Sequence, residues 1–162
     1  MHPPLRGSLD RVVDPKGVRF VALQAVLFVA VAAGPRWFGG VGSSGAARAA
    51  AIAAMVCGLA LALAAGLRLG RNLTPLPVPV ADGRLVTSGV YALVRHPIYG
   101  GLLVLALGWG AFAGSLGTLV AALALWGLFE VKSRFEERAL LARYPEYARY
   151  RAGTRRFVPF VY

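Results

Sequence analysis

A membrane-embedded bundle of α-helices is the fold this sequence predicts, and three observations predict it. Of 162 residues 57% are hydrophobic and only 15% charged, with a mean hydropathy of +0.61, against about 25% charged in an ordinary soluble domain. The apolar residues come in blocks and not at amphipathic spacing, so lipid has to serve as the solvent. The 18 Lys and Arg, set against 7 Asp and Glu, gather in the segments between the blocks. A net charge of +11 would raise nucleic-acid binding in a soluble chain. Here it reads as basic residues held on cytoplasmic loops, and no nucleic-acid partner is expected.

The pattern predicts a single domain over 1–162 with four spans at about 18–36, 46–69, 98–113 and 116–131. Residues 1–16 carry Pro3, Pro4 and Pro15 with Arg6, Arg11 and Lys16, and read as a cytoplasmic lead-in. The first apolar block, broken only by Arg19 and Gln24, is too long for a signal core and is expected to be a retained span. Trp37 and Phe38 at its end suit the interfacial aromatic belt, and a short glycine-rich turn follows. The second span is rich in Ala and Leu. Its Gly66 and Gly70 have the small-xxx-small spacing that lets helices approach, within one chain or between chains. Cys57, alone in this block, has no disulfide partner in the chain and is expected to be a packing residue; no metal site is expected.

The longest non-apolar connection comes next. The alternating Pro75, Pro77 and Pro79 force an extended path, and Thr87-Ser88-Gly89 signals a turn. Pro97 suits the first turn of a helix, where its missing N–H costs nothing, so the third span is expected to begin there. Its Gly100, Gly101, Gly108 and Gly110 allow backbone or a ligand to come close. Gly114-Ser115 makes a tight hairpin. The fourth block loses its hydrophobicity near Glu130, yet nothing breaks the helix before Pro145, so it is predicted to run on into water as far as Tyr144.

With four spans, sixteen of the Lys and Arg residues fall on one side and two, Arg36 and Arg48, on the other. Both termini and the stretch around His96 are therefore predicted to be cytoplasmic, and the membrane to be a prokaryotic cytoplasmic membrane.

Two clusters then share one membrane face. One is the run Arg95-His96-Pro97-Ile98-Tyr99, a polar group at the mouth of a membrane helix, costly unless it contacts something. The other lies on the fourth helix, where Lys132 and Glu136 project from one side and Glu130, Arg134 and Glu137 form a second stripe. On an isolated helix end such charges would be weakly paired solvated groups. The short hairpin between the clusters forces them to meet.

The run Thr87-Ser88-Gly89-Val90-Tyr91-Ala92-Leu93-Val94-Arg95-His96-Pro97-Ile98-Tyr99-Gly100-Gly101 resembles the signature of the isoprenylcysteine carboxyl methyltransferases. These stand with the phospholipid N-methyltransferases in one superfamily of integral membrane enzymes. The second half of the signature follows in order, as Glu136-Glu137-Arg138-Ala139-Leu140, Tyr144-Pro145-Glu146-Tyr147, Tyr150, Arg156 and Pro159. The resemblance covers 72–159, about half the chain. It implies S-adenosyl-L-methionine as methyl donor, held in a cytoplasm-facing pocket by Arg84, Leu85, Val86, Tyr91, His96, Pro97, Ile98, Tyr99 and Glu136. It also implies that Lys132, where the family usually has arginine, faces the acceptor carboxylate, with Arg134 as the alternative.

The residue types suit that chemistry. A donor carrying a sulfonium, an amino group and a carboxylate needs both signs of charge: Glu136 for the amino group, His96 for a polar group, Tyr91 or Tyr99 as an aromatic face to positive charge. Transfer to a carboxylate needs alignment and desolvation more than a base, with Lys132 orienting the acceptor as a point charge. Transfer to an amine needs a base first, and Glu137 or Glu130 is then the candidate. The expected function is methylation of a lipid-like membrane acceptor, with carboxyl O-methylation of an isoprenylcysteine-like substrate ahead of N-methylation of a phospholipid headgroup. From another class, a non-catalytic lipid-binding scaffold would share the same frame.

Overall fold

Five α-helices make up the structure, a computed structural model that describes residues 15–38, 40, 42 and 44–158. They are α1 (Pro15–Trp37), α2 (Gly45–Leu69), α3 (Pro97–Ala113), α4 (Leu116–Arg143) and the short α5 (Tyr147–Gly153). Single 3-10 turns at Gly70–Asn72 and Gly89–Ala92 interrupt the connection between α2 and α3. Among the described residues the only β pairing is an isolated parallel bridge between Val94 and Arg155. The predicted lead-in with Pro3, Pro4, Arg6 and Arg11, and the Pro159 of the signature, lie outside the described residues.

Among the described residues three helices are long and apolar enough to cross a membrane, α1, α2 (with the turn that follows it) and α4, while α3 is a shorter apolar helix of 17 residues. Their outward faces carry bare aliphatic side chains: Val26 and Val29 on α1, Val56 and Leu63 on α2, Val120 and Leu123 on α4 are all exposed. In water such continuous apolar surface would be costly, and in a bilayer it is the matched solvent.

The helices pack in the order α2, α3, α4, α1. Among the described residues consecutive α1 and α2 form no extensive packed interface, which leaves a seam between them. The apolar core gathers Val31, Leu103, Ala122, Leu125 and Phe129, with Phe157 from the tail. α2 and α3 meet backbone to backbone. A Cβ on Gly58 would lie 2.6 Å from the Gly101 carbonyl oxygen, and one on Gly108 would lie 3.0 Å from that of Ala51. Gly100 faces the Phe157 carbonyl at 2.9 Å by the same construction. Gly100, Gly101 and Gly108 therefore admit neighbouring backbone, and Gly110 admits the Leu119 and Thr118 side chains of α4. Within the chain the spacing at Gly66 and Gly70 does not pack helices: a Cβ on Gly70 would meet nothing among the described residues, and one on Gly66 only the far end of Leu73. Gly70 instead ends α2 at a φ of +51°, its N–H bonded to the Gly66 carbonyl.

At the opposite end, Pro35 inside α1 has no N–H to give the Val31 carbonyl. The Thr118 hydroxyl of α4 donates to that carbonyl at 3.3 Å instead, and itself lies fully buried with Ser115. Ser115 caps α4 by accepting from the Thr118 N–H at 3.2 Å, and Gly114 makes the predicted hairpin at a φ of +59°. The first turn of α3 begins at Pro97 and α4 runs unbroken to Arg143 before Pro145, as the sequence led one to expect.

Candidate functional site

The segment from Leu73 to Arg95 crosses one end of the bundle as a strap, and side chains from several elements pin it there. Asn72 makes a two-way bond with the Arg84 backbone, at 3.0 and 3.2 Å. The Tyr144 hydroxyl donates to the Gly83 carbonyl at 2.7 Å, and Arg143 donates to the Ala81 carbonyl. Arg68 reaches Ser88 at 2.6 Å, and Tyr150 donates to the Tyr91 carbonyl at 2.6 Å. An extended, proline-rich segment has spare carbonyls and few spare N–H groups, so most of its anchors are donors, with the Asn72 oxygen accepting from the Arg84 N–H the exception.

Beneath the strap lies a cavity of about 450 Å³ walled by all four long helices: Gln24 from α1, Leu69 from α2, Ile98, Tyr99 and Leu102 from α3, and Lys132, Glu136 and Leu140 from α4. Asn72 to Pro79, Tyr91, Arg95 and His96 complete it. A second cavity of about 110 Å³, sharing Tyr91, Arg95 and Leu140 with the first, is lined by Arg84, Leu85, Val86, Tyr144, Tyr147 and Tyr150. The hydroxyl of Tyr147, buried there, has no hydrogen-bond partner among the described residues. Burial pushes the Tyr150 phenol up to about 12 and raises those of Tyr91 and Tyr147, so all three stay neutral near pH 7.

His96 joins the two predicted clusters. Its Nδ1 is 3.4 Å from Glu136 Oε2 and its Nε2 is 3.2 Å from Glu137 Oε1, with the ring stacked on Tyr99 at 5.5 Å. Burial pulls the imidazole down, but hydrogen bonds to Glu136 and Glu137 and their charges outweigh it and hold its pKa above 6.5. Tyr99 donates to Glu136 Oε1, while its ring lies 5.4 Å from Lys132 Nζ and stacks on Phe129. Lys132, one helical turn from Glu136, is 1% exposed. Its ammonium donates to Gln24 Oε1 at 2.7 Å and to the Pro75 carbonyl at 2.9 Å.

Glu137 points elsewhere. It accepts from Arg95 Nε at 2.9 Å, with Arg151 at 3.4 Å and Arg156 at 3.5 Å, and lines neither cavity. A carboxylate surrounded by three arginines and a histidine is engaged in ion pairs, away from both cavities where Glu137 was expected to act as a base. Glu130 bonds Arg134 and Arg156 through Oε1, its buried Oε2 has no hydrogen-bond partner among the described residues, and it too lines neither cavity. Arg134 is 63% exposed, paired with Glu130 at 2.8 Å and absent from both cavity walls. Two residues along a helix turn a side chain to the far side, and this takes Arg134 away from the Lys132 face.

Of the residues expected in the cofactor site, Tyr91, His96, Ile98, Tyr99 and Glu136 line the large cavity, whereas Arg84, Leu85 and Val86 line the small one. Pro97 is fully buried beneath them as the first residue of α3. Sequence reasoning gave no role to Gln24, Arg95 or Arg151. Arg95 ties the tail to the site: its side chain donates to the Arg151 carbonyl at 3.1 Å and to that of Thr154. Its N–H donates to the Arg155 carbonyl at 2.8 Å, and the N–H of His96 to that of Arg156 at 3.0 Å.

An all-helical membrane protein with a charged, roofed cavity at one end of its bundle is the class these features define. A family model for phospholipid methyltransferase matches residues 46–147. The chain belongs to that family, within the superfamily of membrane methyltransferases that also holds the isoprenylcysteine carboxyl methyltransferases. Over 79 residues, 48% of this chain and 37% of the relative, it is 45% identical to the cobalt-zinc-cadmium resistance protein CzcN of Cupriavidus metallidurans. Over 82 residues, 49% of this chain and 35% of the relative, it is 37% identical to the protein-S-isoprenylcysteine O-methyltransferase of Schizosaccharomyces pombe. The solved eukaryotic intramembrane Ras methyltransferase ICMT superposes with a TM-score of 0.64 at 25% identity, over 93% of this chain and 55% of that one. The chain thus spans little more than a third of these two curated relatives.

Proposed function

We propose that this chain is an S-adenosyl-L-methionine-dependent methyltransferase acting on a membrane-embedded, lipid-like acceptor, with the favoured reaction carboxyl O-methylation of an isoprenylcysteine-like acid. The observation that carries the reading is Lys132 and Glu136 on one wall of a roofed cavity of about 450 Å³, bridged by Tyr99. That volume is in the range of small-molecule sites, roughly 300–1,000 Å³.

The donor fits the residues present. Glu136, steadied by Tyr99 and His96, is a carboxylate for an amino group. The apolar strap residues Leu76 and Val78 supply walls, and the smaller cavity with Arg84 and neutral tyrosines offers polar contacts beside them. S-adenosylmethionine held there would supply an electrophilic methyl group to the acceptor oxygen and leave as the neutral thioether, and a carboxylate acceptor would have no proton to lose. The chain's own part is placement and exclusion of water. Lys132 turns the acceptor's anionic group toward the donor, and the strap, held down by Lys132 through Pro75, shuts off the aqueous side. The lipid tail of the acceptor enters through the seam between α1 and α2.

In this orientation the cavity faces the cytoplasm and α3 completes a four-span bundle with both termini on that side. N-methylation of a phospholipid headgroup is the second reading, in keeping with the phospholipid substrate class in the family model's description. It requires a base, and the one carboxylate on the large cavity's wall, Glu136, is already engaged by Tyr99 and His96. The test is calorimetry with S-adenosylhomocysteine on the purified chain in detergent, followed by transfer of labelled methyl. Binding that is lost in Glu136→Ala and label released by base as methanol support the reading. No heat at millimolar ligand supports the non-catalytic scaffold, and base-stable label supports the amine acceptor.

A further inference from the structure

Gln24 is the one amide in the apolar run between Phe20 and Ala33 of α1, and an amide placed at membrane depth is costly unless it has partners. It lines the large cavity and accepts from the Lys132 ammonium at 2.7 Å across 108 residues of chain. An ammonium has only donors, so the oxygen of the amide has to face it. That fixes the amide the other way round for the cavity: its NH₂ group is the end left over, and it meets no acceptor among the described residues. Lys132 spends two of its three protons on Gln24 and Pro75, which leaves a third N–H beside it.

We propose that Gln24 is a specificity-determining residue, its amide N–H and the remaining N–H of Lys132 forming a two-point donor for the planar carboxylate of the lipid-like acceptor. The proposal rests on the functional reading above and deepens it by naming how the acceptor's head is recognised. A lone ammonium is a point charge that attracts any anion without fixing its plane. A second donor from a different helix holds both carboxylate oxygens, and so turns one of them toward the methyl group. A primary ammonium head has no lone pair for either donor, and an uncharged amide offers one oxygen where a carboxylate offers two. Gln24 also lies before residue 46, where the family match begins, so it belongs to the part of the chain that the shared motifs do not describe.

Gln24→Glu tests this with little change of shape: it keeps an oxygen for Lys132 and replaces the donor by a second acceptor. The full chain is assayed in detergent with labelled S-adenosylmethionine and N-acetyl-S-farnesylcysteine, and S-adenosylhomocysteine binding is measured in parallel. The expected result is a KM for the acid raised roughly tenfold to a hundredfold, as for loss of a hydrogen bond to a charged group, with S-adenosylhomocysteine affinity unchanged. Should Gln24→Glu not bind S-adenosylhomocysteine, Gln24→Leu, which removes the donor without adding charge, carries the same expectation. A KM within twofold of wild type in a variant that binds S-adenosylhomocysteine overturns the role of Gln24 and leaves the enzyme reading standing. Wild-type chain that binds S-adenosylhomocysteine but leaves the acid unmethylated overturns the carboxylate subsite alone. Wild-type chain that does neither brings down both.

Discussion

A helix turns about 100° per residue, so Glu136 and Glu137 leave α4 in different directions although they are neighbours. Glu136 enters the cavity and Glu137 goes under the tail, where Arg95, Arg151 and Arg156 converge on it. The two should respond differently to substitution. Glu136→Gln is expected to lower S-adenosylhomocysteine affinity about tenfold or more, the loss of a charged hydrogen-bond partner, with little change in thermal unfolding. Glu137→Ala strands buried cations and is expected to destabilise the fold by about 3–5 kcal/mol, read as a fall in melting temperature in detergent. Arg134→Ala removes an exposed pair worth about 0–1 kcal/mol and should leave affinity within twofold. His96 gives the site a pH dependence. Its pKa is raised by Glu136 and Glu137, so its charged pairing is complete well below 6.5 and fades as pH climbs through the raised value. S-adenosylhomocysteine affinity should therefore decline on the alkaline side of that value, and His96→Gln should flatten the profile.

At the scale of elements, α2 and α3 are joined where glycine lets two backbones touch. A side chain on Gly101 would meet the Gly58 carbonyl and the Ala62 N–H. Gly101→Val is accordingly expected to cost about 1–3 kcal/mol by overpacking, whereas Gly66→Ala, with only Leu73 nearby, should be neutral by the same melting measurement. This contrast shows what could be read ahead of the structure. Spacing at Gly66 and Gly70 announces a possible contact, but which face of α2 looks at α3 is decided by the whole packing order, which spacing does not encode. Helix limits were legible because their causes are local: Pro97 starts α3, Gly114 and Ser115 make the hairpin, and Pro145 stops α4. The meeting of His96 with Glu136 was legible because a hairpin leaves two helices no other course. The bond between Gln24 and Lys132 was not, since it joins the first helix to the fourth and neither residue's neighbourhood implies the other. Arg95 stood in the motif from the start, but apart from Glu137 its side-chain partners are main-chain carbonyls of the tail, which any sequence supplies.

For the whole molecule, the distribution of Lys and Arg sets the expected orientation. On a Cys57→Ser background, a cysteine at Ser44 should react with a membrane-impermeant maleimide on intact cells, and one at Asp82 only after lysis. The reverse pattern would invert the topology and turn the strap-covered cavity outward. The seam between α1 and α2 has a practical side for anyone who measures this protein. If its acceptor arrives from the hydrocarbon, molarity in the tube is the wrong variable, and surface density in the lipid phase is the right one. Diluting a fixed amount of acceptor with inert lipid should slow turnover at constant bulk composition, and an inhibitor's strength should track how far it partitions into oil before it ever meets the protein.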